Sequence, residues 1–552
     1  MKHTSQVEIE RKYDVDENAV VPPFTSVVGI ESVSVDDTVQ LEAVYYDTEG
    51  LDLLRKRHIV RRREGGGDEG WHIKRPAGEG RTELHWPLDV DSGGDVDSSI
   101  AAVPDSVLEP VRAIVRDRIL TPLARISTRR TATHLIAEGG SAVAEFADDH
   151  VTASDVRGGT VRAWREWEVE LLPGAPDSEE ARTALLDAIE VAVLAEAATV
   201  SSSPAKIARA LGQSSLGDVL RGAEVPVAKQ TSKQAAGQDS RLTAKSPAVD
   251  VIVEAVRQLV EQLEQLDPEV RADQPDSVHR MRSVVRRLRS VLAAYRRLFD
   301  AERVGSLRDQ LTTLGGVLGA ARDAEVRGQL ADDELCELGH RTGDAAHRRL
   351  VEESLEEYRQ AHAGALRMLS SAAYYRLFDA LDEFVANPSL SAHGEKRQPI
   401  RIVAAKVIAR ELARLRARAG AAAFAGASRT GGADVSGDRD ARGDGALHDA
   451  RKAARRLRFA ADAVSTGGTA VLKTKYRHIS REAERVQDAL GDHRDSALFV
   501  QHLLLTSNRA HAAGESTFVY GAMSVRAEHR GAAALNESPK ALKRLAKRAE
   551  SL

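Results

Sequence analysis

The chain has 552 residues and a formal net charge of −5, with 78 Lys+Arg against 83 Asp+Glu, enough for several domains that each bury a core. One cysteine, Cys336, excludes a disulfide framework and suits a reducing cytosol. The polar start from Met1 to Tyr13 is unlike a secretion signal, and no apolar run approaches the ~20 residues of a membrane span. A cytoplasmic protein with no membrane partner is expected.

The small net charge conceals an asymmetry. Residues 1–211 hold 38 Asp+Glu and 24 Lys+Arg, a net of −14, whereas the remaining 341 hold 45 and 54, a net of +9. An acidic front and a basic back point to separate tasks, metal chemistry in the first and anion binding in the second.

Residues 1–211 read as mostly strand. Period-2 segments recur at Val7–Tyr13, His58–Arg63, Trp71–Arg75, Thr82–Leu88 and Arg165–Leu172, separated by turn clusters at Gly65–Asp68, Ser92–Asp95 and Gly158–Gly159. Helical patterns occur near Ser106–Arg118 and Ser178–Ala197. Parallel βαβ alternation is absent, so the expected fold is an antiparallel sheet or barrel with peripheral helices.

Alternate strand residues share a face. Glu8, Glu10 and Lys12 therefore point together, as do Glu166, Glu168 and Glu170; Arg61 and Arg63; His72 and Lys74; and Arg81, Glu83 and His85. Carboxylate rows suit Mg²⁺ or Mn²⁺, which prefer oxygen ligands, and interleaved Arg and Lys rows suit phosphate oxygens. Such rows can line a closed barrel that takes a metal–polyphosphate complex.

Residues 212–246, rich in Ser, Gln, Ala and Lys, read as a linker. Beyond about Pro247 the composition is helical, predicting an all-α bundle over 247–552, with parts at about 247–420 and 446–552 and a mobile low-complexity loop at 426–445. Its signature is a block present twice. Val278-His279-Arg280-Met281-Arg282, continuing to Arg286-Arg287-Leu288-Arg289, recurs as Leu447-His448-Asp449-Ala450-Arg451, continuing to Arg455-Arg456-Leu457-Arg458. A His with Arg at +3, +7 and +10 covers roughly 80° of one helix face. The first copy has seven Arg and no acid between Ser277 and Phe299, so no i,i+4 partner neutralises it. Each copy is followed by Leu-Gly and then Arg-Asp, at Leu318–Asp323 and Leu490–Asp495, expected as turns. His279, Arg282, Arg286, Arg289, His448, Arg451, Lys452, Arg455 and Arg458 form an anion cradle whose most economical target is polyphosphate. Arg322 and Arg494 are secondary candidates, and the paired Asp residues are alternatively structural.

These residues carry a resemblance. Glu8-x-Glu10-x-Lys12, Tyr45-Tyr46-Asp47-Thr48, Arg61-Arg62-Arg63, Lys74-Arg75-Pro76, Ala144–Asp149, the Glu166/Glu168/Glu170 strand and Lys206 follow the order of the CYTH (triphosphate tunnel metalloenzyme) family over residues 1–211. The two His-Arg blocks resemble the CHAD family of histidine-containing helical modules associated with polyphosphate. The resemblance implies an eight-stranded antiparallel tunnel that hydrolyses a triphosphate with Mg²⁺ or Mn²⁺. Glu8, Glu10, Glu166, Glu168, Glu170 and Asp148 (chosen over Asp149) would hold metal. Lys12, Arg61, Arg63, Lys74, Arg81 and Lys206 would grip phosphate. One of Arg125, Arg129 and Arg130 would add a contact; Arg129 is taken here, although sequence alone does not separate the three. Glu8, Glu10, Lys12, Glu168 and Glu170 would form the catalytic set, with Glu168 or Glu170 orienting water. Two departures stand out. Ala205 replaces the expected Ser beside Lys206, and His85 stands where a third carboxylate is common.

The leading expectation is a triphosphatase acting on inorganic triphosphate or a short polyphosphate, placed in the cytoplasm and at polyphosphate granules. Alternatives are a non-catalytic polyphosphate-binding, granule-targeting protein, or a tunnel enzyme for an organic triphosphate (thiamine triphosphate hydrolysis or ATP cyclisation). Nucleic acid is a poor partner, because 4% aromatic content leaves few stacking platforms.

Overall fold

The computed structural model describes residues 4–76, 80–88, 102–203, 205–212, 242–340, 343–427 and 437–550. The chain divides into two compact units, Met1–Gln234 and Ala235–Leu552. Most of the 212–246 linker, the Ser92–Asp95 turn and part of the 426–445 loop lie outside the described residues.

The first unit is one curled antiparallel sheet. Its strands are β1 (Thr4–Glu8), β2 (Glu10–Val15), β3 (Ser32–Val35), β4 (Val39–Asp47), β5 (Ile59–Glu64), β6 (Gly70–Pro76), β7 (Arg81–Trp86), β8 (Thr121–Ile136), β9 (Ala142–Asp155), β10 (Val161–Leu171) and β11 (Thr199–Val200). They run in the order β1-β7-β6-β5-β4-β8-β9-β10-β2-β11, with β3 on β8. Only Ile9 separates β1, at one end of this path, from β2, near the other. A single run that pairs with β7 through Glu8↔Arg81 and with β10 through Glu10↔Glu170 requires the sheet to curl until its ends meet. Closure of this kind removes exposed edges.

The apolar faces of these strands point outward. Tyr13, Phe146, Trp167 and Val169 pack on Leu186, Ile189 and Val193 of α4 (Glu179–Ala195), which Ser178 caps by accepting from the Ala181 N–H. Trp71, Ile73, Leu84 and Trp86 pack on Val107, Val111, Ile114 and Val115 of the 105–115 segment, where the helical pattern expected from sequence forms as short helices, α2 (Asp105–Leu108) and α3 (Arg112–Val115), joined by a 3-10 turn. With the outer face covered, the alternate residues of each strand face the interior. Gly65, at φ 83, makes the β5–β6 turn, and a Cβ there would lie 2.1 Å from the Gln40 carbonyl oxygen. Strands β4, β8 and β9, central in the sheet, were not among the predicted elements.

The second unit is all helix among its described residues, apart from isolated bridges. After α1 (Asp52–Arg55) and α5 (Lys206–Ala210) of the first unit, its helices are α6 (Ala248–Arg271), α7 (Ser277–Tyr295), α8 (Ala301–Glu337), α9 (Ala345–His347), α10 (Glu353–Leu369), α11 (Ala372–Ala386), α12 (Ile400–Ala427), α13 (Gly437–Ser465), α14 (Lys473–Ala512) and α15 (Phe518–Ala549). Of the loop expected over 426–445, residues up to Ala427 and from Gly437 are helical, and 428–436 lie outside the described residues. Both Leu-Gly/Arg-Asp elements, expected as turns, lie inside the long helices α8 and α14. Neither contains a proline, and the Ala and Leu around them favour continuation.

Candidate functional site

Inside the curled sheet lies a cavity of about 330 Å³. Its walls carry seven cations (Lys12, Arg61, Arg63, Lys74, Arg81, Arg130, Lys206) and seven carboxylates (Glu8, Glu10, Asp68, Glu83, Glu145, Glu168, Glu170). Ten of the residues expected from sequence are among them: Glu8, Glu10, Lys12, Arg61, Arg63, Lys74, Arg81, Glu168, Glu170 and Lys206.

Register explains the arrangement. Glu10, Glu170 and Glu145 stand directly opposite one another on β2, β10 and β9, a like-charged row that is unfavourable unless a cation joins it. The next row pairs Lys12 with Glu168, and a third sets Glu166 beside Asp149, itself opposite Arg130. Lys206, the first residue of α5, reaches all three carboxylates of a compact cluster: Asp149 at 2.9 Å, Glu166 at 2.7 Å and Glu168 at 2.6 Å. Carboxylate oxygens of this trio lie within 4.8 Å of one another, a spacing that suits a divalent cation. Arg130 joins from the side, 2.6 Å from Asp149 and 2.7 Å from Glu168.

On the opposite wall Lys74 bonds Glu8 at 2.6 Å, and Arg61 approaches Glu83 at 3.3 Å. His72 supports Glu83 through Nδ1 at 2.9 Å.

Burial and neighbours divide the carboxylates into two kinds. Burial opposes ionisation of Glu168, but Lys12, Lys206 and Arg130 outweigh it and hold the group well below the usual carboxylate range. Burial, and then the hydrogen bond to Glu83, push Glu8 up to about 8. Burial also raises Glu170, which has no ion pair among the described residues.

Two expected residues are replaced by their neighbours. Asp148 points outward, accepting from Arg165 at 2.8 Å and from the Trp167 indole at 3.0 Å; Asp149, fully buried, is the one beside Lys206. Arg129 is exposed, and Arg130 takes the interior position. In each case the pleat sends consecutive residues to opposite faces. Glu166 is correctly placed at the cluster. Glu83 and Glu145 were missed, although the Arg81/Glu83 alternation carried a signal for the first, and Arg130 was one of three candidates that the sequence left unseparated. His85 lies outside the cavity lining, bonding the Glu69 carbonyl through Nε2 at 3.0 Å, so the carboxylate of β7 is Glu83. Ala205 provides no hydroxyl, and Ser203 donates to the Ala205 carbonyl instead.

In the second unit the two His-Arg stripes, on α7 and α13, meet at one cavity of about 620 Å³ lined by His279, Arg282, Arg286, Arg451 and Arg455. The Leu-Gly/Arg-Asp elements show why each block has two parts. Asp323 of α8 lies 3.3 Å from Arg282, and Asp495 of α14 lies 3.9 Å from Arg451. Gly319 and Gly491 leave room for those guanidinium groups, which a Cβ would meet at 3.5 Å and 3.0 Å. Arg494 donates to His448 Nδ1 at 2.7 Å, which leaves the imidazole proton on Nε2. Each Asp thus reaches an arginine of the facing His-Arg helix.

Arg286 and Arg455 are pushed down to about 10 by burial and by neighbouring arginines, each shifted by Arg282 and Arg451 among others. Neither has an ion-pair partner among the described residues. The other predicted residues flank the cavity. Arg458 pairs with Glu484 at 2.6 Å, Lys452 is exposed and 3.9 Å from Asp449, and Arg289 acts on Arg455 electrostatically.

Residues 6–200 match the CYTH domain model and residues 254–504 the CHAD domain model. An uncharacterized protein of Mycobacterium tuberculosis (strain CDC 1551 / Oshkosh) is 36% identical over 527 residues, covering 93% of this chain and 91% of its own; its counterpart in strain ATCC 25618 / H37Rv matches equally. Among solved structures, PptA from Streptomyces chartreusis is 17% identical with a TM-score of 0.43, covering 54% of this chain and 100% of its own. The CHAD domain from the plant Ricinus communis is 21% identical with a TM-score of 0.39, covering 55% and 95%. With its curled carboxylate–cation tunnel and its twofold histidine–arginine bundle, the chain belongs to the family that joins a CYTH domain to a CHAD domain.

Proposed function

We propose that the first unit hydrolyses inorganic triphosphate or a related short polyphosphate with Mg²⁺ or Mn²⁺, and that the second binds inorganic polyphosphate and brings the protein to polyphosphate granules in the cytoplasm. The observation that carries this reading is the lining of the tunnel, where seven cations interleave with seven carboxylates.

A polyphosphate alone would be repelled by the carboxylates and a metal alone by the ammonium and guanidinium groups; together they satisfy both sets. The donors offered to a metal are all carboxylate oxygens, the chemistry that hard divalent cations require. Glu8, Glu10, Glu168 and Glu170 would hold one cation, and Asp149 with Glu166 and Glu168 offers a second position. When bound, the cation supplies charge neutralisation for the phosphoryl oxygens.

The chain's own residues do the rest. Lys12, Arg61, Arg63, Lys74, Arg81, Arg130 and Lys206 fix the phosphate chain and oppose the charge spread over oxygens in a loose transition state. Between the two candidates for orienting water, Glu168 is committed to Lys12, Lys206 and Arg130, whereas Glu170 is unpaired and better able to accept a proton. In the second unit the unpaired Arg286 and Arg455 are the strongest draw for an oxyanion.

Phosphate release from inorganic triphosphate tests the first half. Glu10→Ala should abolish metal-dependent turnover with the fold intact by circular dichroism. Wild-type rates in that variant would refute the assignment, and no turnover in any form, with polyphosphate binding retained, would make this a binding protein.

A further inference from the structure

The cavity of the second unit is larger than its arginines need. It continues between α8 and α14, walled by Val326, Leu330, Leu498, Phe499 and Leu505. Along α14 the lining extends from Gln487 to Leu505, about 27 Å at the helical rise. Leu498 and Leu505 are 47% and 67% exposed, so aliphatic surface stands open in the same cavity as the arginine cluster, two of whose members, Arg286 and Arg455, have no ion-pair partner among the described residues.

A bare phosphate chain is charged along its whole length. Laying it over the aliphatic half would desolvate oxygens with nothing to receive them. Beside the leucines a buried polar group faces that half as well. His502 lines the cavity, and its Nε2 is buried with no hydrogen-bond partner. Burial, and then Arg327 and Arg509, lower its pKa to about 4, so at neutral pH the ring offers both a donor and an acceptor.

An alkyl chain would suit the leucines but leave Nε2 orphaned, at a cost. A nucleobase has a flat apolar face for the leucines and a hydrogen-bonding edge for the imidazole. Arg494 and His502 are about 12 Å apart along α14, a gap that a ribose and its phosphates bridge.

Resting on the reading of the arginine half as a phosphate site, we propose that this cavity binds a nucleoside polyphosphate. Its phosphates lie on Arg282, Arg286, Arg451 and Arg455, and its base lies against Leu498 and Leu505 with an edge bonded to His502.

The test is isothermal titration, in EDTA, of the full chain carrying Lys12→Ala and Arg61→Ala to weaken phosphate binding in the first unit. The probes are ATP, inorganic triphosphate and farnesyl diphosphate. ATP should bind about tenfold more tightly than triphosphate, the scale of one net hydrogen bond with some apolar burial. Adding His502→Ala or Leu505→Asp should erase most of that advantage and leave triphosphate affinity unchanged, while Arg455→Ala should weaken both. Equal affinities for ATP and triphosphate, or a gain shown by farnesyl diphosphate instead of ATP, would overturn the base site while leaving the phosphate reading standing. If neither triphosphate nor ATP binds and Arg455→Ala does not alter polyphosphate binding, the phosphate reading falls and takes this inference with it.

Discussion

Lys206 sits where a cation belongs. Its ammonium group holds Asp149, Glu166 and Glu168 together, neutralising a trio that would otherwise repel itself. A divalent ion entering that cluster must compete with it, so Lys206→Ala should raise Mn²⁺ affinity several-fold in the substrate-free protein, measured by calorimetry. The same variant should lose triphosphate turnover, because a phosphate contact goes with the competitor. An unchanged or weaker Mn²⁺ affinity would show that the ammonium is no stand-in.

His58 makes a second prediction, about pH. Burial lowers it from 6.5 to about 4, and it bonds the Lys56 carbonyl through Nδ1 at 2.8 Å. The unfolded chain takes up this proton first, so stability is intact above pH 6.5 and is lost as pH falls toward 4, on the order of 3 kcal/mol when complete. The four tryptophans, Trp71, Trp86, Trp164 and Trp167, all lie in the first unit, so their fluorescence isolates its unfolding. His58→Gln should flatten the urea midpoint between pH 6.5 and 4.5; an unaltered slope would place the acid sensitivity elsewhere.

The strands and helices that carry these residues explain what could be read in advance. Glu8-x-Glu10-x-Lys12 was legible because Ile9 and Arg11 between them take the other face, and the same holds for Glu166, Glu168 and Glu170. Asp148 against Asp149, and Arg129 against Arg130, were not. Both faces of these strands carry charged residues, Asp148 accepting from Arg165 outside and Asp149 from Arg130 inside, so alternation does not say which is which. Polar residues on both faces likewise hid β8 and β9, whose sequences mix Arg, Thr and Ala without a clean period of two. In the helical unit the His-Arg stripes were visible from periodicity. The role of Gly319 and Gly491 was not, since it depends on a guanidinium arriving from another helix.

Those glycines can be tested as element-level features. Gly491→Leu should displace Arg451, whose Nη2 would be 3.0 Å from a new Cβ, and weaken polyphosphate binding with α14 intact. Gly305 of α8 meets nothing within 4 Å, so Gly305→Ala should leave binding unchanged and stabilise the unit by about 0.5–1 kcal/mol. Equal binding in the two variants would deny the glycine a positioning role.

For the whole molecule, each compact unit holds its own charged cavity, lined by residues of that unit alone. No helix among the described residues is long and apolar enough to cross a membrane. The two activities should therefore separate by mutation. Arg286→Ala with Arg455→Ala should abolish polyphosphate capture while leaving triphosphate turnover within about twofold, since sites without shared partners act additively. The most direct measurement is phosphate release from inorganic triphosphate, ATP, thiamine triphosphate and long polyphosphate, with Mg²⁺, Mn²⁺ or EDTA, for wild type, Glu10→Ala and that arginine pair. The account predicts metal-dependent release from triphosphate that is lost in Glu10→Ala and kept in the arginine variant. Turnover that survives Glu10→Ala, or that resides in an organic triphosphate alone, would contradict it.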